Sequence, residues 1–113
     1  MTKISKATAE HYLWGAQCDG WYLVKQPGLS VIHERMPPGT EEVRHYHKQA
    51  RQFFFVLSGT AELEVDGQTH HLLPHEGCEV PPEVPHQMKN TSEAEVEFLV
   101  ISDPPTRGDR YEA

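Results

Sequence analysis

Turn residues cut this chain into pieces too short for anything but strands. Pro27-Gly28, Pro37-Pro38-Gly39, Ser58-Gly59, Asp66-Gly67, Pro74, Pro81-Pro82, Pro85 and Pro104-Pro105 each close a run in which apolar and polar residues alternate or β-branched and aromatic residues cluster. Proline removes a ladder donor and glycine opens left-handed backbone, so neither a long helix nor a long central strand survives such spacing. The runs predict about nine short strands. They include Leu29 to Met36, Arg51 to Ser58, Thr60 to Val65, Gln68 to Leu73, Cys78 to Val80 and Ala94 to Ser102, with residues 42 to 47 extended. Weak helical character around Ala7 to His11 is the one exception. An all-β barrel or sandwich is the expected fold class.

With 113 residues the chain is long enough for one core and too short for two ordinary domains. The expected organisation is an N-terminal arm over residues 1–11, a barrel over 12–102 and a C-terminal tail over 103–113. Ten lysines and arginines against seventeen acids leave a net charge of -7, which repels nucleic acid and anionic membrane surfaces. The longest purely apolar run is Phe53 to Leu57, far short of a membrane span, and Met1 to Glu10 lacks the apolar segment of a secretory signal. A cytoplasmic protein with no nucleic-acid or membrane partner is expected. Cys18 and Cys78 form no C-x-x-C pair and are expected to stay reduced.

Aromatic density peaks between Tyr12 and Val24, with Trp14, Trp21 and Tyr22 around an expected Cys18-Asp19-Gly20 turn. This segment is expected to cover one open end of the domain, with a substrate-pocket wall as the second reading. Alternation in Leu29 to Met36 separates Leu29, Val31 and His33 from Ile32, Glu34 and Met36, and the pattern alone leaves its inner face open. His33 is expected to be exposed or satisfied by one hydrogen bond. His11, His70, His71 and His75 are expected to be solvated.

The chemistry gathers between Gly39 and Gly59. If residues 42 to 47 are extended, His45 and His47 share a face and Tyr46 takes the other. The turn at Lys48 to Arg51 then lets Gln52, at the start of the next strand, face both imidazoles across the pairing. Two imidazoles aimed at one point suit a divalent transition metal. Parity from Gln52 turns Phe54 and Val56 inward as pocket-lining candidates, joined by Met88 and Phe98 from later strands. Phe53, Phe55 and Leu57 point outward, where exposure costs about 1.5 to 3 kcal/mol per large side chain, so they need a cover.

At these residues the chain resembles the cupin superfamily, small jelly-roll barrels also described as a double-stranded β-helix. Gly39, His45, His47 and Gly59 fall on the first cupin motif, with Gln52 where the family usually has Glu. Pro81, His86 and Asn90 fall on the second, with His75 and Glu83 in place of its two glycines. The resemblance implies one divalent metal ion (Fe, Zn, Ni or Mn) held by His45, His47, Gln52 and His86. An amide in place of a carboxylate lowers affinity, leaves the metal a stronger Lewis acid and removes a built-in base. Small cupins of this kind commonly pair through the outward aromatic face, so a homodimer is expected.

The function so implied is a mononuclear metal-dependent enzyme acting on a small organic molecule, dioxygenase-like in the leading reading. A non-redox isomerase or lyase would need a proton-transfer residue. Glu34, Tyr22 and Tyr46 are candidates that the sequence does not place. A small-ligand-binding module without turnover is the rival from another class.

Overall fold

The computed structural model describes residues 2–113. Among these residues eleven strands run β1 (Glu10–Trp14), β2 (Cys18–Gln26), β3 (Leu29–Met36), β4 (His45–Tyr46), β5 (Arg51–Ser58), β6 (Ala61–Val65), β7 (Gln68–Leu72), β8 (Gly77–Val80), β9 (His86–Lys89), β10 (Val96–Asp103) and β11 (Tyr111–Glu112). No helix forms among the described residues. All pairings are antiparallel, in a six-stranded sheet ordered β1-β2-β3-β10-β5-β8 and a five-stranded sheet ordered β11-β4-β9-β6-β7. Faced together, the two sheets make an all-β jelly-roll barrel.

Alternation along the strands fills the space between the sheets. In β10 Val96, Phe98, Val100 and Ser102 are buried, in β5 Gln52, Phe54 and Val56, in β6 Ala61 and Leu63, and in β9 His86 and Met88. The apolar ones among these meet in one cluster with Met36, Leu72, Val80 and Cys18, while Ser102, Gln52 and His86 are buried polar groups beside it. The face of β3 that pattern left open is settled by Met36, which is fully buried on the same parity as Ile32 and Glu34. At the far end of the core, buried Asn90 donates through Nδ2 to the carbonyls of Met36 and Ala94, both at 2.9 Å, tying the end of β9 to the end of β3.

Four local expectations are corrected. The helical character around Ala7 to His11 is replaced by a turn at residues 6–8 and the start of β1 at Glu10, because this segment finds a partner strand in β2. The turn expected at Cys18-Asp19-Gly20 lies at Gly15 to Gln17, where Gly15 (φ 54°) and Gln17 (φ 65°) take the left-handed conformations that reverse the chain. β4 does not form a hairpin with β5, for it pairs with β9 and β11 in the opposite sheet. The amides of Lys48, Gln49 and Ala50 are instead satisfied by the Asp109 carboxylate at 2.8, 3.0 and 3.1 Å, which carries the chain between sheets. Residues after Asp103 are no loose tail, since β11 returns to the five-stranded sheet and Ala113 N donates to Arg44 O at 3.0 Å.

Candidate metal centre

His45 and His47 bracket the outward-pointing Tyr46, whose ring stacks on Tyr111 with centroids 5.4 Å apart. His86 opens β9 after the Pro81 to Pro85 loop and pairs directly with His45 in register. The three rings converge, with centroid separations of 4.5 Å (His45–His86), 4.9 Å (His45–His47) and 5.4 Å (His47–His86). One ligand atom from each lies within 4.8 Å of the other two, a group that could hold a metal ion.

Each imidazole is oriented by a backbone carbonyl. Nδ1 lies 2.7 Å from Val43 O in His45, 2.6 Å from Asp109 O in His47 and 3.0 Å from Val84 O in His86. A carbonyl only accepts, so Nδ1 carries the hydrogen and the Nε2 lone pair is left bare. Nε2 of His47 and of His86 is buried with no hydrogen-bond partner among the described residues. Burial disfavours the imidazolium, pushing His45 down to about 3 and His86 down to about 4 and lowering His47 as well. Neutral imidazoles with bare Nε2 atoms and carbonyl-fixed tautomers are the donor set that a divalent transition metal requires.

Gln52 approaches from the other sheet, facing the histidines across the barrel instead of across a hairpin. Its Nε2 donates to Ser102 Oγ at 3.0 Å, while its Oε1 is buried without a partner. An amide whose nitrogen is tied back presents its oxygen as an acceptor, and here that oxygen is the third orphaned polar atom among the described residues. The donors present therefore fit a metal.

Beside the histidines lies a cavity of about 190 Å³, lined by His45, His47 and Gln52 with Tyr12, Trp14, Tyr22, Glu34, Phe54 and Arg110 among others. His86 stands behind them, fully buried. Of the sequence candidates for the pocket, Phe54 lines this cavity, whereas Val56, Met88 and Phe98 belong to the apolar cluster at 0, 1 and 1% exposure. Trp14 and Tyr22 form cavity walls. Trp21 points outward, packing edge-on to His33 with centroids 5.5 Å apart, and His33 Nε2 contacts Glu97 Oε1 at 2.7 Å, the single hydrogen bond expected of it.

Two carboxyl groups face the cavity. Glu34 Oε2 accepts from Tyr12 Oη at 2.8 Å, and burial pushes its carboxyl up to about 7. Glu42 Oε2 accepts from Met88 N at 2.9 Å, and burial pushes that carboxyl up to about 8. Tyr12 is raised by the same desolvation and by Glu34 beside it. Sequence reasoning missed Tyr12, Glu42 and Arg110. Glu42 and His45 both turn inward although three residues apart, a spacing that strand alternation forbids and that only the irregular backbone before β4 permits.

A closed pair of antiparallel sheets enclosing three histidines beside a cavity defines a small β-barrel with a group that could hold a metal ion. The cupin domain model matches residues 32–102, and the chain belongs to the cupin family. It is 29% identical over 77 residues to polyketide synthase CurC of Streptomyces cyaneus, covering 68% of this chain and 47% of that one. It is 30% identical over 77 residues to a 5-nitrosalicylic acid 1,2-dioxygenase of Bradyrhizobium sp., covering 68% of this chain and 37% of that one. Among solved structures, a cupin-superfamily sugar phosphate isomerase from Silicibacter pomeroyi superposes with a TM-score of 0.81 at 22% identity, over 92% of this chain and 76% of the other. The chain spans about half the length of the curated relatives it matches.

Proposed function

We propose that this chain is a metal-dependent enzyme for a small organic molecule, with His45, His47, His86 and Gln52 holding one divalent ion, Fe, Zn, Ni or Mn. The observation that carries this reading is the set of three orphaned acceptors, His47 Nε2, His86 Nε2 and Gln52 Oε1, buried together beside a cavity. Leaving such atoms unpaired costs about 1–3 kcal/mol each, a cost that a bound cation removes. When bound, the ion supplies Lewis-acid polarisation of a substrate oxygen. Tyr12, Trp14 and Tyr22 wall the cavity against water, and Glu34 and Glu42 are placed to give or take a proton.

Those carboxyls favour the non-redox reading, an isomerase or lyase that moves a proton on a carbonyl-bearing substrate. A general acid or base works best with a pKa near the operating pH, where both Glu34 and Glu42 have been pushed. The dioxygenase-like reading keeps the support of the Bradyrhizobium relative. Incubation of the Zn- and Fe(II)-loaded protein with a panel of small oxo acids and hydroxyaromatics separates them. Exchange of substrate C–H for solvent deuterium, seen by NMR without oxygen uptake, is the expected result. Oxygen consumption with Fe(II) alone returns the dioxygenase, and ligand capture with no chemical change leaves a binding module.

A homodimer belongs to the same proposal. Phe53 and Leu29 are 37% and 38% exposed on the outer face of the six-stranded sheet, beside Ile101. Sedimentation of wild type and Phe53→Glu tests this, with a dimer expected only for the wild type.

A further inference from the structure

We infer that Arg110 anchors the anionic end of the substrate, so that the cavity takes small carboxylic acids. This deepens the enzyme reading above and rests on it for the word substrate, but the anchor itself needs no metal.

Arg35, Arg44 and Arg51 are each committed to a carboxylate at 2.8, 2.7 and 3.1 Å. Arg110 lines the cavity with no ion pair among the described residues, and its contact is a 3.5 Å one from Nη2 to Val43 O. A guanidinium at the surface is ordinarily free to wander, yet the backbone on both sides of this one is fixed. Asp109 before it accepts three amide hydrogens from residues 48–50, and Tyr111 after it pairs with Tyr46 across β11 and β4. The side chain therefore projects from a rigid base, which lowers the entropy lost when it grips a ligand.

The surrounding charge agrees. Among the described residues no lysine and no other arginine lines the cavity. One guanidinium forms a two-pronged pair with one carboxylate, and a cavity lined by a single basic side chain suits a single negative charge better than a phosphate dianion.

The test is calorimetric titration of pyruvate and benzoate into the full chain, with pyruvamide and benzamide as neutral controls and inorganic phosphate for comparison. It is run on zinc-loaded and on chelator-treated protein, in wild type, Arg110→Met, Arg110→Lys and Arg107→Met. Arg107 lies on the same segment but lines the neighbouring surface clefts and not the cavity. The expected result is binding of at least one acid in preference to its amide, weakened about 10- to 100-fold by Arg110→Met and less by Arg110→Lys. Arg107→Met is expected to bind like wild type, and zinc content is expected to be equal in all four proteins. The anchor is overturned if Arg110→Met binds acids as wild type does, if Arg107→Met matches its loss, if wild type binds neither acid in either form, or if phosphate binds more tightly with the same Arg110 dependence. A wild type that takes no zinc but keeps Arg110-dependent acid binding overturns the metal-enzyme reading and leaves the anchor standing. Normal zinc uptake with acid binding indifferent to Arg110 does the reverse.

Discussion

Tyr12 reaches across Gly20 to donate its hydroxyl to Glu34 Oε2 at 2.8 Å, and the three residues stand in one cross-strand row of β1, β2 and β3. Gly20 is the seat of that contact, because a Cβ there would run into the Tyr12 ring. The hydrogen bond favours the charged carboxylate and so holds Glu34 lower than burial alone would. Tyr12→Phe should therefore move the Glu34 titration above its value of about 7, and Gly20→Ala should do the same by displacing the ring. Carboxyl carbon NMR of the Glu34 signal reads the midpoint, and an unmoved midpoint in both variants would break the link.

Stability of the metal-free protein should bend at both ends of the pH scale. Glu34 and Glu42 are raised, to about 7 and about 8, so the stability their protonated forms contribute is complete below the ordinary carboxyl range near ~4.3 and is lost as pH rises through those values. His45 and His86 are depressed, to about 3 and about 4, so their contribution is complete above the ordinary imidazole value near ~6.5 and is lost as pH falls toward 4 and 3. Melting temperatures taken with Glu34→Gln/Glu42→Gln should keep the acid loss and flatten the alkaline one. A double variant whose alkaline limb matches wild type would remove the carboxyls from the account.

How much of this was legible in the sequence varied with the kind of constraint. Strands bounded by Pro or Gly, such as β3 and β5, begin and end where the punctuation puts them, and same-face spacing joins His45 to His47. Partner choice was not legible. Gln52 stands one turn after His47, so a hairpin was the natural reading, but Asp109, 57 residues further on, satisfies the intervening amides and sends the two strands into different sheets. Cys18-Asp19-Gly20 read as a turn because an Asp-Gly pair signals one, whereas Gly20 leaves room for a ring from the neighbouring strand. Arg110 carried no signal beyond a Gly108-Asp109-Arg110 turn, since its place depends on a two-residue strand pairing.

Metal affinity should separate the ligands from their supports. His47→Ala removes an imidazole and is expected to cost more than about 100-fold in zinc affinity, beyond the range of a supporting contact. Gln52→Glu restores a carboxylate and is expected to hold or tighten binding. Ser102→Ala frees the Gln52 amide that Ser102 Oγ ties back at 3.0 Å, and is expected to weaken zinc within about 10-fold. Competition with a chromophoric chelator gives all three values, and equal zinc in wild type and His47→Ala would discard the centre.

His75 and Glu83 occupy the two places where the second cupin motif carries glycine, and both adopt left-handed backbone, with φ of 68° and 70°. A side chain there costs about 1–2 kcal/mol against glycine, partly offset by the larger freedom glycine loses on folding. Their surroundings then set them apart. Glu83 is exposed and no side-chain hydrogen bond or ion pair holds it among the described residues, while its amide is already bound to His47 O at 2.6 Å. Glu83→Gly should therefore relieve strain without loss and raise stability by up to about 1 kcal/mol. The His75 ring stacks on Phe55 with centroids 6.3 Å apart and an interplanar angle of 16°. His75→Gly would uncover that ring, so its gain in backbone strain is expected to be cancelled or reversed. Urea unfolding of the two variants side by side measures the difference, and an equal gain in both would show that the stack on Phe55 contributes nothing.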